Sequence, residues 1–165
     1  MSEVTLQMVK DAVKYDAATG IFTWARSRKG VNAGDVAGNK APTGYWRVQI
    51  MRHSRLAHRL AWFYVHGVWP KHDLDHVNGV RTDNRIANLR EVTRSQNLQN
   101  RVVASRRSTS GLLGAHRSWG GWQARITIDG EVHHLGTFDT PEEAHRAYLE
   151  GKKSRHPFFN GERDT

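Results

Sequence analysis

An acidic residue and a histidine stand side by side in this chain, at Asp75 and His76, and two asparagines, Asn88 and Asn97, follow them. Carboxylate and amide oxygens are hard ligands that suit a divalent metal ion such as Mg²⁺. A neutral imidazole, with an unperturbed pKa of about 6.5, can take a proton from water near pH 7. Together these residue types could hold one metal ion, one water molecule and one phosphate.

Phosphodiester hydrolysis needs a nucleophilic water, a base for its proton, and positive charge on the developing oxyanion. The pattern therefore predicts metal-dependent cleavage of DNA as the leading hypothesis. Adjacent strand residues point to opposite faces, so Asp75 and His76 can converge only where the strand ends or twists. The Val77-Asn78-Gly79 stretch that follows predicts such an end.

Two local signals place the asparagines. Thr93-Arg94-Ser95-Gln96 has the form of a capping box, which predicts a helix that begins at Arg94 with Asn97 about one turn inside it. The positive amino end of that helix would suit a phosphate. Asn88 precedes this helix in a loop, where its amide can bond to the backbone and hold the segment that presents His76.

The elements that must carry these residues can be predicted from local patterns. Apolar residues at helical spacing predict a short amphipathic helix from Val4 to Val13, and an apolar run predicts a buried helix over 58–66, ended by Gly67. Between them the sequence predicts a turn at 16–20, a strand at 21–24, a loop over 26–43, and strands at 45–51 and 54–57.

The last third of the chain has its own pattern. Trp122 to Ile128 alternates apolar and polar residues, Asp129-Gly130 is a strong hairpin signal, and 131–135 returns as a strand. Thr140 to Glu143 forms a second capping box with proline at the first helical position. We therefore expect three short strands and one helix, joined to the front part by a basic linker over 102–110.

Composition and charge restrict the function further. The formal net charge is +9, and no Asp or Glu occurs between Val92 and Thr127, where six arginines lie. Such a stretch favours contact with a polyanion, double-stranded DNA in the first place. The chain has no Cys, which excludes disulfides and cysteine-ligated zinc and fits a reducing cytoplasm. No signal peptide or membrane span is expected.

The front part resembles the HNH nucleases, specifically the homing-type subgroup with an Asp-His pair and two later asparagines. The resemblance implies a ββα-metal fold with its core at about 70–101, inside a nuclease domain over 1–101. It implies His76 as general base, Asp75 and Asn97 as ligands of one divalent ion, Mg²⁺ or alternatively Mn²⁺, and Asn88 as a catalytic residue that orients the histidine's loop. Asn97 stands where many HNH nucleases have a histidine.

Residues 111–161 resemble the ethylene-response-factor type of DNA-binding domain, through Gly114, Trp119-Gly120-Gly121-Trp122, Leu135-Gly136-Thr137-Phe138 and the Ala144 to Tyr148 helix. In that family a three-stranded sheet enters the major groove. The departures are Leu112-Leu113, Thr127 and His134, which reduce the number of basic side chains. The DNA-binding residues predicted for the whole chain, from the arginine-rich stretch and this resemblance, are Arg94, Arg101, Arg106, Arg107, His116, Arg117, Trp119, Arg125 and Thr127.

The sequence thus predicts an α+β protein in two parts, a DNA endonuclease that cuts or nicks in the cytoplasm of a bacterial or phage-infected cell. It predicts a monomer or weak dimer with no membrane partner and no small-molecule cofactor. Three alternatives stay open: a non-catalytic DNA-binding regulator with an inactive HNH module, an RNA-binding or RNA-cutting protein, and a partner of acidic proteins. His58 is expected to be a satisfied core histidine. Arg59 and Arg85 could clamp phosphate or pair on the surface.

Overall fold

The structure is a computed structural model that describes residues 4–100, 103–106, 108–128 and 130–156, apart from the side chain of Ser95. Two compact units divide the chain, Met1–Thr93 and Arg94–Thr165. The boundary between these units falls before the helix that carries Asn97. The sequence-based domain boundary at residue 101 stays a prediction.

The first unit opens with helix α1 (Leu6–Ala12), capped by Thr5, whose hydroxyl accepts a hydrogen bond from the Met8 N–H at 3.3 Å. The prediction that Val13 continues this helix is wrong, because Val13 begins strand β1 (Val13–Asp16). Strand β1 pairs antiparallel with β2 (Ile21–Trp24) across the predicted turn. Val13 is nevertheless fully buried, so its apolar side chain faces the core from a strand.

A three-stranded antiparallel sheet follows, made of β3 (Asn39–Lys40), β4 (Trp46–Ile50) and β5 (His53–Leu56). Strand β3 is a short addition within the segment that was predicted as loop. The chain then enters helix α2 (Ala57–His66), which ends at Gly67 with φ of 73°, a left-handed conformation that favours glycine. The helix and its end agree with the sequence prediction.

The hairpin that carries the Asp-His pair lies next along the chain. Strand β6 (Asp73–His76) pairs antiparallel with β7 (Leu89–Val92), and a short 3-10 helix (Ile86–Asn88) precedes β7. The pairing places Asp75 opposite Arg90. The apolar core of this unit includes side chains from both helices and from the first strands, namely Val9, Val13, Phe22, Val48, Ile50, Leu60, Ala61 and Phe63.

The second unit begins with helix α3 (Arg94–Gln99), which starts at the predicted residue. Strands β8 (Ala115–Ser118), β9 (Gly121–Ile128) and β10 (Glu131–Phe138) form an antiparallel sheet in the order β10-β9-β8. Strand β10 is longer than predicted, because a β-bulge between His134 and Gly136 lets pairing with β9 continue.

Helix α4 (Pro141–Arg155) packs on this sheet through small residues. Its capping box is complete, with the Thr140 hydroxyl and the Glu143 carboxylate each bonded to the other residue's backbone N–H. Ala144 is fully buried against Ala115 and Ala124. A Cβ on Gly151 would lie 2.6 Å from Leu135 Cδ1, so the helix approaches the sheet at a glycine.

The described part of the chain is therefore α+β, with four α-helices and four small antiparallel sheets. Two separate apolar clusters support it, one in each unit. Within the described residues no helix is both long and apolar enough to span a membrane.

Candidate active site

His76 lies at the carboxyl end of β6, where the chain turns away from the strand. Its carbonyl accepts a hydrogen bond from the Gly79 N–H at 2.9 Å, and the Val77 N–H donates to the Asn88 carbonyl at 2.8 Å. The strand therefore ends where the sequence predicted. Asp75 and His76 are both buried, with 7% and 4% exposed, although they are neighbours on one strand.

Asn88 closes the loop between β6 and β7 with its side-chain amide. Its Oδ1 accepts a hydrogen bond from the Asn78 N–H at 3.0 Å, and its Nδ2 donates to Asn78 Oδ1 at 2.9 Å and to the Asp83 carbonyl at 2.8 Å. These are contacts of the kind that the sequence analysis expected, since they hold the loop after His76. The catalytic role of Asn88 stays a prediction.

Asp83 binds both ends of the same loop. Its carboxylate accepts from Asn78 Nδ2 at 2.7 Å and from Arg85 Nε and Nη2 at 2.8 and 2.6 Å. The hydrogen bonds from Arg85 lower the pKa of Asp83 to about 2, with smaller help from Asn78. Of the two roles left open for Arg85, the structure therefore has the ion pair. Arg59 donates to backbone carbonyls at Pro70 and His72.

Asn84 contacts the imidazole of His76 directly. Its Oδ1 lies 3.2 Å from His76 Nε2, and its Nδ2 donates to the Thr82 carbonyl at 3.2 Å. Only 3% of Asn84 is exposed, so this contact is shielded from water. This role of Asn84 was not predicted from the sequence, because the contact depends on how the loop folds back.

A second histidine lies against the first. The rings of His58 and His76 are 5.1 Å apart and nearly perpendicular, and Tyr45 lies 5.2 Å from His58 and 6.0 Å from His76. Burial lowers the pKa of His58 to about 4, helped by the charges of His76 and Arg59. The prediction of a core histidine is confirmed, but the prediction that it is satisfied is wrong. Its buried Nδ1 finds no hydrogen-bond partner among the described residues.

Arg81 places an exposed cation beside this aromatic group. Its guanidinium lies 5.2 Å from the Tyr45 ring centroid and donates to the Thr43 carbonyl at 2.9 Å. Arg81 was not predicted as a site residue from the sequence. The available signal was its place in the polar loop directly after the Asp-His strand, within the HNH-like segment.

Asp75, the predicted metal ligand, is paired with an arginine. Arg90 Nη2 and Nε lie 2.8 and 3.1 Å from Asp75 Oδ2, across the β6–β7 hairpin. In the part of the chain that the structure describes, no group of three or more His, Asp or Glu side chains could hold a metal. The Asp75 carboxylate is still a hard oxygen ligand of the kind that Mg²⁺ takes, and Mg²⁺ keeps several water ligands and takes phosphate oxygens from its substrate.

The other predicted metal ligand, Asn97, lies on α3 in the second compact unit, where it is exposed. Its joint role with Asp75 stays a prediction. Arg94, at the first position of α3, and Arg106 are also exposed, whereas Arg101 and Arg107 lie outside the described residues.

The sheet of the second unit separates the predicted DNA-binding residues. Arg125 and Thr127 are exposed and alternate with buried positions of β9, and His116 pairs opposite Gln123, on that same open face. Arg117 instead pairs opposite Trp122 and lies 5.2 Å over its ring, on the face that packs against α4. Arg117 and Arg125 were predicted together as DNA-binding residues, because the sequence does not give this register.

Trp119 lies in the turn between β8 and β9 and is fully exposed. Trp119 therefore does not pack into the core of this unit. Trp122 packs partly buried against the core of this unit, as the alternation along β9 predicted.

Residues 55–99 match the family model for HNH endonuclease. The matched segment runs from β5 into α3 and contains His58, Asp75, His76, Asn88 and Asn97. The match supports an HNH nuclease domain that acts on DNA, and HNH nucleases generally use a divalent metal ion. A search of curated proteins and a search of solved structures found no match to the chain.

Proposed function

We propose that this chain is a metal-dependent DNA endonuclease of the homing type, which cuts or nicks phosphodiester bonds with His76 as the general base. The observation that carries the proposal is the placement of a buried histidine at the end of β6, fixed by Asn84 within the segment that matches HNH endonuclease. A base held in one orientation can take the proton of an attacking water without reorganising in the reaction.

The donor set in this scheme suits one divalent ion, Mg²⁺ or alternatively Mn²⁺. Asp75 would hold the ion with its carboxylate, and the sequence assigns Asn97 as a second oxygen ligand. When bound, the ion supplies positive charge that stabilises the transition state and the leaving oxygen. Asn88 acts through the loop, because its bonds to Asn78 and Asp83 keep His76 at the end of its strand.

Arg81 is the best candidate for a phosphate contact in the first unit. Its guanidinium is exposed, and its contact with the Tyr45 ring leaves several N–H donors for a phosphate. The same Tyr45 ring lies against His76. A phosphate held by Arg81 would therefore lie on the Tyr45 side of the proposed base.

The second unit would act as an ethylene-response-factor-type DNA-binding domain. Arg125, Thr127 and His116 share the open face of its sheet and could reach base edges in the major groove. Trp119 could stack on the sugar or base at the tip of the β8–β9 turn. Arg117 would contribute through its contact with Trp122 rather than as a reader of bases.

The function is tested with supercoiled plasmid incubated with Mg²⁺, with Mn²⁺, or with EDTA. We expect conversion to open-circular or linear DNA with either ion and none with EDTA. Absence of conversion across plasmids of varied sequence and across both ions would contradict the proposal. A parallel assay with structured RNA separates the RNA-cutting alternative.

A non-catalytic DNA-binding regulator is the second candidate, and the Asp75–Arg90 ion pair favours it, because the carboxylate that should bind metal already has a cation. This alternative predicts sequence-selective DNA binding, unchanged by Mg²⁺, with no strand cleavage. Gel-shift and nicking assays on the same DNA distinguish the two.

A further inference from the structure

We propose that Asn84 is a positioning residue that keeps the proton of the neutral His76 ring on Nε2 and so assigns Nδ1 as the atom that takes the proton from water. The inference rests on the proposed role of His76 as the base. It adds the residue that selects the reactive nitrogen and the part of the fold that holds that residue.

The orientation of the Asn84 amide is set by its second contact. Its Nδ2 donates to the Thr82 carbonyl at 3.2 Å, so its Oδ1 is the atom that faces His76 Nε2, also at 3.2 Å. An amide oxygen only accepts hydrogen bonds, so Nε2 must donate. A neutral imidazole carries one N–H, and the lone pair then lies on Nδ1.

Burial strengthens the preference of His76 for the tautomer with its proton on Nε2. Asn84 and His76 are 3% and 4% exposed, so water cannot readily replace either partner. In the opposite tautomer two acceptors, His76 Nε2 and Asn84 Oδ1, would face each other in a buried site, which is unfavourable. The perpendicular ring of His58, at 5.1 Å, and the Tyr45 ring also restrict a flip of His76.

The backbone of Asn84 is held by the first hairpin of the chain, outside the segment that matches HNH endonuclease. The Tyr15 hydroxyl on β1 donates to the Asn84 carbonyl at 2.7 Å. Burial raises the pKa of Tyr15 to about 12, which fits a hydroxyl that stays a donor. The Tyr15 ring packs against Phe22 at 4.8 Å and Tyr64 at 5.8 Å, which fixes its position.

Gly20 brings the turn of this hairpin against the same loop. A Cβ on Gly20 would lie 2.6 Å from the Asn84 carbonyl carbon and would also collide with the Arg85 nitrogen. Its φ of 74° adds a backbone conformation that favours glycine. The β1–β2 hairpin therefore contacts the backbone of Asn84, while the side chain of Asn84 contacts His76.

The test reads the tautomer of His76 directly, by two-bond ¹H–¹⁵N correlation spectra of the ¹⁵N-labelled full chain without metal or DNA. The His76 signals are assigned by their loss in His76→Gln and recorded at a pH where they show a neutral ring. We expect the Nε2–H form in the wild type. A wild-type ring with its proton on Nδ1 would overturn the proposal, and this result needs no variant to fold.

Variants then test whether Asn84 is the cause. Asn84→Ala should shift His76 toward a mixture of tautomers, whereas Asn84→Asp, which keeps an acceptor oxygen, should retain the Nε2–H form. Asn39→Ala, which changes an exposed asparagine of the same unit, is the control and should leave the tautomer unchanged. If the His76 tautomer were unchanged in Asn84→Ala, Asn84 would not be the residue that determines it.

The cleavage rate separates this inference from the proposed function. If His76 is the base, Asn84→Ala should lower the rate at saturating DNA by about tenfold or more, in line with loss of part of a general-base contribution. A wild type with the Nε2–H form but no cleavage would contradict the nuclease proposal and leave the positioning role intact. Cleavage by a wild type whose His76 carries its proton on Nδ1 would contradict the positioning role of Asn84 and leave the nuclease proposal intact.

Discussion

Asp75 and Arg90 face each other across the β6–β7 hairpin and form an ion pair, with Arg90 Nη2 2.8 Å from Asp75 Oδ2. Asp75 is 7% exposed, so the guanidinium compensates a buried charge. A metal ion that binds Asp75 must share the carboxylate with this arginine. The pair is therefore both a structural contact and a competitor of the proposed metal.

Arg90→Gln should separate these two roles. We expect it to destabilise the metal-free protein by about 2 kcal/mol, because Asp75 loses its charged partner. We also expect Mg²⁺ to stabilise the variant more than the wild type, since Arg90 then no longer competes with the ion for the carboxylate. Thermal unfolding with and without Mg²⁺ measures both, with Arg26→Gln as an exposed control. An equal Mg²⁺ effect in variant and wild type would argue against metal binding at Asp75.

Asp83→Asn should loosen the loop that follows His76. The carboxylate accepts from Arg85 and Asn78, so we expect a loss of about 1–2 kcal/mol at pH 7. The folded pKa of about 2 lies below the usual 3.8, so the carboxylate stabilises the fold above pH 3.8, and this stabilisation is lost as pH falls toward 2. Urea unfolding at pH 7 and pH 3 should show a smaller difference at pH 3. If wild type and Asp83→Asn differed in unfolding free energy by the same amount at pH 7 and pH 3, the lowered pKa of Asp83 would be contradicted.

His58→Phe should make the free energy of unfolding less dependent on pH below 6.5. The folded pKa of His58 is about 4 and the ordinary value is 6.5, so the unfolded chain binds the additional proton between these values. Wild-type stability should therefore fall as pH drops from 6.5 toward 4, by at most about 3 kcal/mol from this residue. Urea midpoints at pH 7.5, 5.5 and 4.5 measure the slope, and the exposed His72→Ala is the control. Equal slopes in His58→Phe and wild type would disprove the assignment.

Arg125 and Arg117 should differ in DNA binding, because they lie on opposite faces of the second unit's sheet. If the open face contacts phosphate, Arg125→Gln should lower the salt slope of DNA binding by about one. Arg117→Gln should leave the slope unchanged and lower thermal stability, because its guanidinium covers Trp122. A lowered slope for Arg117→Gln alone would place the DNA on the other face.

Locally coded features could be predicted from the sequence. The end of β6 at His76, the start of α3 at Arg94 and the capped helix α4 each follow from a few neighbouring residues. The strand β1 was missed because Val13 continues the helical spacing of apolar residues, while the pairing with β2 decides its conformation.

The contacts that organise the candidate site are long-range and could not be predicted in this way. His58 meets His76, and Tyr15 meets the backbone of Asn84, only because separate elements pack together. The Asp75–Arg90 pair depends on the register of a hairpin with a long loop, which side-chain types alone do not determine. Residue types and spacing therefore predicted a candidate chemistry, while the residues that orient His76 required the fold.

The central claim is that His76 takes the proton of the attacking water, and the single-turnover cleavage rate of His76→Ala tests it most directly. With labelled duplex DNA and saturating Mg²⁺, we expect His76→Ala to cleave at least about 100-fold more slowly than wild type. The His72→Ala control should cleave at the wild-type rate, and DNA affinity should be the same for all three proteins. Cleavage by a folded His76→Ala protein at the wild-type rate would contradict the account.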